Sequence, residues 1–216
     1  MKKFSVDADM ERVQNLYRFE DDVRAKGFNL IAGVDEAGRG SLVGPVVVAA
    51  VILPGDVYLE RLDDSKKLSA KVREILYDKI ISAAISYSCV EVSVTEVDTL
   101  NVYHATLAGM KRAVENLNVQ PEFVLTDAMH VEFGDKIFSQ SIVHGDRLSA
   151  SIAAASIIAK VTRDRLADKW ATIYPGYGFE HNRGYGTKEH FAAIEKLGAS
   201  PIHRQSFNPV KSLLAK

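Results

Sequence analysis

The chain of 216 residues has one cysteine, one tryptophan and a net charge of only −1. With no partner for a disulfide and no second thiolate for a sulfur-ligated metal, Cys89 excludes redox stapling and zinc-ribbon chemistry, and it reads as a small buried apolar side chain. The near-neutral charge excludes a protein that holds nucleic acid through bulk positive charge, so any phosphate contacts must be local. Long apolar runs are missing too. The most apolar stretch, Val46 to Leu53, is bounded by Pro45 and Pro54 and falls far short of the roughly 20 residues needed to span a bilayer. Near the amino terminus, Lys2 and Lys3 are followed by acidic residues before any apolar run of signal-peptide length, and a cytoplasmic protein is expected. There is no repeat, low-complexity tract or long linker.

What is present is a core. A hydrophobic content of 47% at this length is enough for one domain without metal or disulfide support. Residues 10–26 place Val13, Leu16, Tyr17 and Val23 at helical spacing and predict an amphipathic helix ended by Gly27. Leu30 to Val34 and Val46 to Leu53 read as neighbouring buried strands joined by a turn containing Gly38, Gly40 and Gly44. A helix is expected from the N-cap Ser69 to Ala84, a strand over 86–94, a helix over 103–117, and short strands over 123–126 and 137–143. Residues 147–170 form a long helix whose Ala- and Ser-rich portion suits close packing on a sheet, and Gly176 to Gly186 reads as a mobile segment over a site. Alternating strands and helices define an α/β fold with a central sheet. From Lys160 onward, ten Lys and Arg stand against five Asp and Glu, which makes the last quarter the better face for a polyanion, although such an excess is often only a solvated surface.

The chemistry-bearing residues are acids at the edges of apolar elements. Asp35 and Glu36 follow a buried strand, Asp127 ends another, and Asp146 lies between Gly145 and a helix. Asp146 also fits an N-cap and Asp127 a turn residue bonding its own backbone. Two adjacent charges directly after a buried strand are costly unless neutralised, so the Asp35–Glu36 pair resists a purely structural reading. Strand ends of an α/β sheet converge at one edge, where a cluster of carboxylates without thiolates suits Mg²⁺ or Mn²⁺. Two such ions roughly 4 Å apart activate water and stabilise the leaving oxygen in phosphoryl displacement. The glycine-rich turn lets backbone groups approach a substrate, and a ribose 2′-hydroxyl is the group such a contact would distinguish. Tyr185, between Gly184 and Gly186, adds a ring suited to the sugar.

The blocks GVDEAGRGSLVGPVVVAAVIL, DSKKLS, LTDA, GDRLSASIAAASIIAKVTRD, YPGYGFEHNRGYGTKEH and HRQSF together resemble ribonuclease HII from about Tyr17 to Val210. The resemblance implies a ribonuclease H-like fold, with a central mixed β-sheet flanked by helices and a small carboxyl-terminal helical appendage. It implies one catalytic domain over 1–216, with an amino-terminal helix to about 28 and a substrate-contacting segment over about 174–216. It implies divalent-metal catalysis and incision on the 5′ side of ribonucleotides, both in RNA/DNA hybrids and singly embedded in duplex DNA, as in ribonucleotide excision repair. The family's metal-binding acids fall on Asp35, Glu36, Asp127 and Asp146. Its Gly-Arg-Gly element is Gly38, Arg39 and Gly40, which with Tyr185 is implied to recognise the 2′-hydroxyl, and Lys66 matches a position near the substrate phosphates. A monomer is implied.

This chain departs from the family pattern at four places. Ser41 stands where Pro is common, Ala128 where Gly is usual, His144 often where Lys occurs, and Gln205 where a second Arg is common. None removes a metal ligand. Ala37 and Arg39 differ from the Ser and Lys of the sister family, ribonuclease HIII. Two rival readings are a metal-independent ribonuclease drawing on the six histidines, which would survive chelator, and a hybrid-binding module without turnover, which four mutually repelling acids would serve poorly.

Overall fold

The computed structural model describes residues 4–214. Residues 1–3 and 215–216, the extreme ends of the expected amino-terminal and carboxyl-terminal segments, lie outside the described residues. Five strands form one mixed sheet in the order β3-β2-β1-β4-β5. They are β1 (Ile31–Ala37), β2 (Val46–Ile52), β3 (Ser86–Val92), β4 (Phe123–Asp127) and β5 (Phe138–Ile142). The first three pair antiparallel, while β4 and β5 run parallel to β1.

Every residue of β2 is buried, which is why VVVAAVI carries no alternation of polar and apolar side chains. Its Val47, Ala49 and Val51 face a cluster with Leu76 and Ile80 of helix α3 (Ala70–Ala83) and the alanines of α5 (Ala150–Ile173). Val46, Val48, Ala50 and Ile52 face Ala105, Met110 and Ala113 of α4 (Val94–Glu115). Each Val buried in this way contributes roughly 1.5–3 kcal/mol of apolar transfer. The helix α5 lies tight on β1: a Cβ on Gly33 would stand 2.1 Å from the Ser151 carbonyl carbon, so only glycine permits this approach. That contact sets the height of the helix, and of the turn before it, above the sheet.

Several expected boundaries move. The amino-terminal helix is two, α1 (Val6–Leu16) and α2 (Arg18–Arg24), broken at Tyr17, whose hydroxyl donates to the Val57 carbonyl. The strand β1 continues through Asp35 and Glu36 and does not stop before them, because β2 pairs with it as far as Ala37. The helix expected from Tyr103 begins at Val94, where Ser93 and Glu96 form a capping box, and it is interrupted at Asn101 (φ 61°, ψ 161°). The Asn101 side-chain oxygen accepts from Tyr103 N and His104 N and restarts it. The strand β3 ends at Val92. Cys89 is half-buried, with its thiol 3.6 Å from Thr162 Oγ1.

The long helix starts at Ala150, three residues later than expected. Its cap is Ser149, whose hydroxyl accepts from Ile152 N, so Asp146 is not that cap. Beyond it lie α6 (Phe179–Asn182), α7 (Lys188–Leu197) and α8 (Val210–Leu214). Within the glycine-rich segment 176–186, Tyr177, Phe179 and Asn182 are buried. With Trp170, Ala193, Ile194 and Val210, Tyr177 and Phe179 build a small core on Leu42 and Val43. The carboxyl-terminal part is thereby bonded to the loop after β1: Leu42 N donates to Gly184 O, Gly44 N to Ile202 O, and Arg204 N to Leu42 O.

Candidate active site

Parallel pairing of β1 with β4 puts Val34 opposite Thr126, so Asp35 and Asp127 lie one step further along on neighbouring strands and on one face. The turn before α5 (Gly145–Arg147) brings Asp146 to the same edge, because Gly145 N donates to Asp127 Oδ1 at 2.7 Å. Asp35 is 5% exposed and Asp146 3%. Burial, and then the charges of Glu36, Asp127 and Asp146, push the Asp35 carboxyl well above its ordinary range. Burial also raises Glu36, against the pull of Arg39, whose guanidinium lies 3.2 Å from Glu36 Oε1. Asp146 is raised by burial and by Asp127 and Asp64, with Lys66 Nζ, 3.5 Å away, opposing.

The four acids expected from the sequence are therefore neighbours, and their electrostatics are those of an anionic cluster short of cations. Their oxygens point to donors of the chain: Asp35 Oδ1 to Glu36 N, Asp127 Oδ1 to Gly145 N, Glu36 Oε1 to Arg39. Among the described residues no three acids, histidines or cysteines already converge as a coordination set, so side-chain rotation would have to precede metal binding. The donor chemistry nevertheless fits a hard divalent cation. All four groups are carboxylates, and Glu36 Oε2 is buried without any hydrogen-bond partner.

A cleft of about 250 Å³ opens beside the acids, lined by Asp35, Glu36, Gly38, Arg39, Gly40, Lys66, Lys160 and Tyr185 among others. It thus brings together all the expected substrate-contacting residues, and no histidine lines it. Gly40 has open space where a Cβ would be, whereas Gly38 (φ +94°) would drive a Cβ to 2.0 Å from Arg163 Nε. One glycine leaves room for a ligand and the other for the support beneath. A groove of about 700 Å³ between Arg12, Arg18, Phe19 and Arg147 is larger, but it carries none of the four acids.

That support consists of residues the sequence reading did not assign. Arg163 and Arg204 are buried and have no carboxylate partner within ion-pair distance among the described residues. Arg163 donates to Ser41 Oγ, Val43 O and Arg183 O, and Arg204 to Gly44 O and Arg39 O. Arg163 Nε and Arg204 Nη2 have no partner. Burial, then the charge of Arg163, hold Arg204 down to about 9, still cationic at neutral pH. Two desolvated positive charges under the loop from Gly38 to Gly44 raise the potential where a phosphodiester would lie. Ser41, the departure from proline, is here an acceptor for Arg163 at 2.6 Å and is fully buried.

Asp64 and Lys160 were also missed. Asp64, fully buried, accepts from Lys66 N and Arg147 Nε and so fixes Lys66 beside Asp146. Lys160 lies 6.0 Å from the centre of the Tyr185 ring, with the Arg163 guanidinium at 5.7 Å. Ser156, Lys160 and Arg163 fall at helical spacings of four and three, a polar row that begins within the Ala-rich stretch of the helix, and that was the available signal.

Carboxylates at the ends of parallel strands in a β3-β2-β1-β4-β5 mixed sheet, beside a glycine loop, define a nuclease of the ribonuclease H class. A family model described as Ribonuclease HII matches residues 32–210. A ribonuclease HII of Ligilactobacillus salivarius is 52% identical over 203 residues, covering 94% of this chain and 79% of that relative. The crystal structure of ribonuclease H2 from Pyrococcus horikoshii superposes with a TM-score of 0.73 at 26% identity, over 85% of this chain and 96% of that one. A Bst ribonuclease HIII solved in complex with Mn²⁺ shares the fold alone, with a TM-score of 0.59 at 17% identity over 86% of this chain and 69% of that one. The chain belongs to the ribonuclease HII family and is an endoribonuclease of the hydrolase class. No helix among the described residues is long and apolar enough to cross a membrane.

Proposed function

We propose that this endonuclease hydrolyses the phosphodiester on the 5′ side of ribonucleotides, in RNA/DNA hybrids and at single ribonucleotides embedded in duplex DNA, leaving a 3′-hydroxyl and a 5′-phosphate. Removal of ribonucleotides from DNA, as the first incision of excision repair by a cytoplasmic monomer, is the role that goes with it. The observation that carries the reading is the anionic cluster of Asp35, Glu36, Asp127 and Asp146, of which Asp35 and Glu36 line a cleft together with Gly38, Arg39, Gly40, Lys66 and Tyr185. Acids of this kind would hold Mg²⁺ or Mn²⁺, and Glu36 Oε2 is an acceptor without a partner there. When bound, such ions supply activation of an attacking water and stabilisation of the leaving oxygen.

The chain's own residues do the rest. Arg39, held by Glu36, and the open backbone at Gly40 face the ribose, where the 2′-hydroxyl both donates and accepts. The Tyr185 ring, 36% exposed between Lys160 and Arg163, takes the sugar at the junction. Lys66, anchored through Asp64, meets the phosphate on the Asp146 side. The Arg163 and Arg204 charges stay buried beneath the loop from Gly38 to Gly44 and favour the polyanion without touching it.

A DNA duplex with one ribonucleotide, incubated with Mg²⁺, Mn²⁺ or EDTA and mapped at nucleotide resolution, tests this. Metal-dependent cutting 5′ to the ribonucleotide is expected. Cutting in EDTA would replace metal chemistry with histidine chemistry, cutting of long hybrids alone would remove the single-ribonucleotide activity, and binding without cutting would leave a binding module.

A further inference from the structure

Tyr185 stands between two glycines, so its local sequence does little to hold it, yet its carbonyl oxygen is bonded twice. Thr187 N donates to it at 2.9 Å, and His190 Nδ1 lies 3.0 Å away. Behind His190 a chain of contacts runs inward. His190 Nε2 lies 3.2 Å from His203 Nε2, and His203 Nδ1 is 2.9 Å from Ser200 N. All of His190 and His203 is buried, against the rings of Tyr177 and Phe179.

The direction of this chain follows from one fixed donor. A peptide N–H can only donate, so Ser200 N makes His203 Nδ1 an acceptor. In a neutral imidazole the proton of His203 is then on Nε2, and it donates to His190 Nε2. That nitrogen is therefore an acceptor, the proton of His190 sits on Nδ1, and it donates to the Tyr185 carbonyl. Protonation of either ring would set two N–H groups face to face. Burial first, and the neighbouring His190 second, hold His203 down to about 4, and burial lowers His190, both in the direction of the neutral rings that the bonding pattern requires.

We propose that His190 and His203 are positioning residues of the catalytic site, a hydrogen-bonded relay of fixed tautomers that sets the Tyr185 backbone and thereby its ring over the ribose. This rests on the reading of Tyr185 as the residue that meets the ribonucleotide. It accounts for two buried imidazoles outside the cleft, and for a bonding pattern that only two neutral rings of opposite tautomer satisfy.

Long-range proton–nitrogen NMR correlations of the wild-type imidazoles between pH 6 and 8 are expected to show His203 protonated at Nε2 and His190 at Nδ1. The reverse tautomers, or a charged ring in that range, overturn the relay. In the same Mg²⁺ assay, His203→Leu is expected to lower kcat on the single-ribonucleotide duplex by about 10-fold or more, as a small misplacement of a substrate-contacting group does. Affinity for the all-DNA duplex should be unchanged. His203→Gln, whose amide accepts at Oε1 and donates at Nε2, is expected to restore most of kcat. A folded His203→Leu with wild-type kcat, or His203→Gln no better than it, overturns the proposal. Tyr185→Ala separates the two readings. If it leaves rate and selectivity unchanged, the role of Tyr185 fails although the tautomers stand; if it costs both while His203→Leu costs neither, only the relay fails.

Discussion

Replacement of Ala128 by glycine is expected to stabilise the protein. Ala128 follows Asp127 at φ 51°, in the left-handed region, in a turn closed by Ala128 N donating to Ile142 O and the Thr126 hydroxyl donating to Met129 O. An L-residue pays about 1–2 kcal/mol for that conformation. Glycine does not, but it loses more chain freedom on folding, at about 0.5–1 kcal/mol. The methyl of Ala128 is exposed, so deleting it forfeits little burial. The net gain is then roughly 0.5–1 kcal/mol, or a rise in Tm of about 1–4 °C at about 2–4 °C per kcal/mol for a chain of this size. Thermal and urea unfolding of Ala128→Gly should be read beside Ala192→Gly, the same chemical change at an exposed position of α7 with helical backbone. There glycine costs about 1 kcal/mol. Opposite signs for the two are expected. A fall in Tm at Ala128→Gly matching that at Ala192→Gly would refute the argument from backbone strain.

Asp35→Asn is expected to abolish metal-dependent cleavage, by more than the ~10- to 100-fold that outer partners of a metal site cost. Because Asp35 is buried among like charges, the same change should raise stability by about 0.5–2 kcal/mol in urea unfolding; near-wild-type turnover would sink the site assignment. Glu20 supplies a pH test away from the site. It is fully buried, accepts from Ser149 Oγ and Ser151 N, and is raised above its ordinary value chiefly by burial. A carboxyl raised in the folded state contributes stability below its unfolded value and loses it as pH rises toward the folded one. Glu20→Gln should therefore gain on wild type with increasing pH above that ordinary value, by at most about 1.4 kcal/mol per pH unit, and a gap in urea stability that stays flat between pH 4 and 8 would contradict it.

The four acids and the loop of Gly38 to Gly40 were legible in the sequence both as family motifs and as charges set against apolar strands. Asp35, Glu36, Asp127 and Asp146 abut apolar strands with only Arg39 and Arg147 as Lys or Arg within four positions of any of them, so the desolvation of most of this charge is visible in the sequence. The strand β2 and the helix α5 were readable for a related reason: an unbroken Val/Ala run is buried on both faces, and a run of alanines and serines permits close approach. What failed locally depends on distant partners. The break at Tyr17 is tied to Val57, 40 residues on, and Asp98 beside the interruption at Asn101 accepts from Gln205 N and Ser206 N, 107 and 108 residues on.

The same distinction divides the site. Arg163 and Arg204 look in sequence like members of a basic surface excess, yet both are buried and their donors go to the carbonyls of Arg39, Val43, Gly44 and Arg183. Backbone carbonyls have no signature in a sequence, so a charge satisfied by them cannot be told from a solvated one before the fold is known. The Gly38 turn needs its glycine for Arg163, whose Nε would stand 2.0 Å from a Cβ there. In the proposed function the acids would take the cations and the positive charge beneath the loop would favour the phosphates. A folded Arg163 variant should then lose duplex affinity without losing the acid cluster.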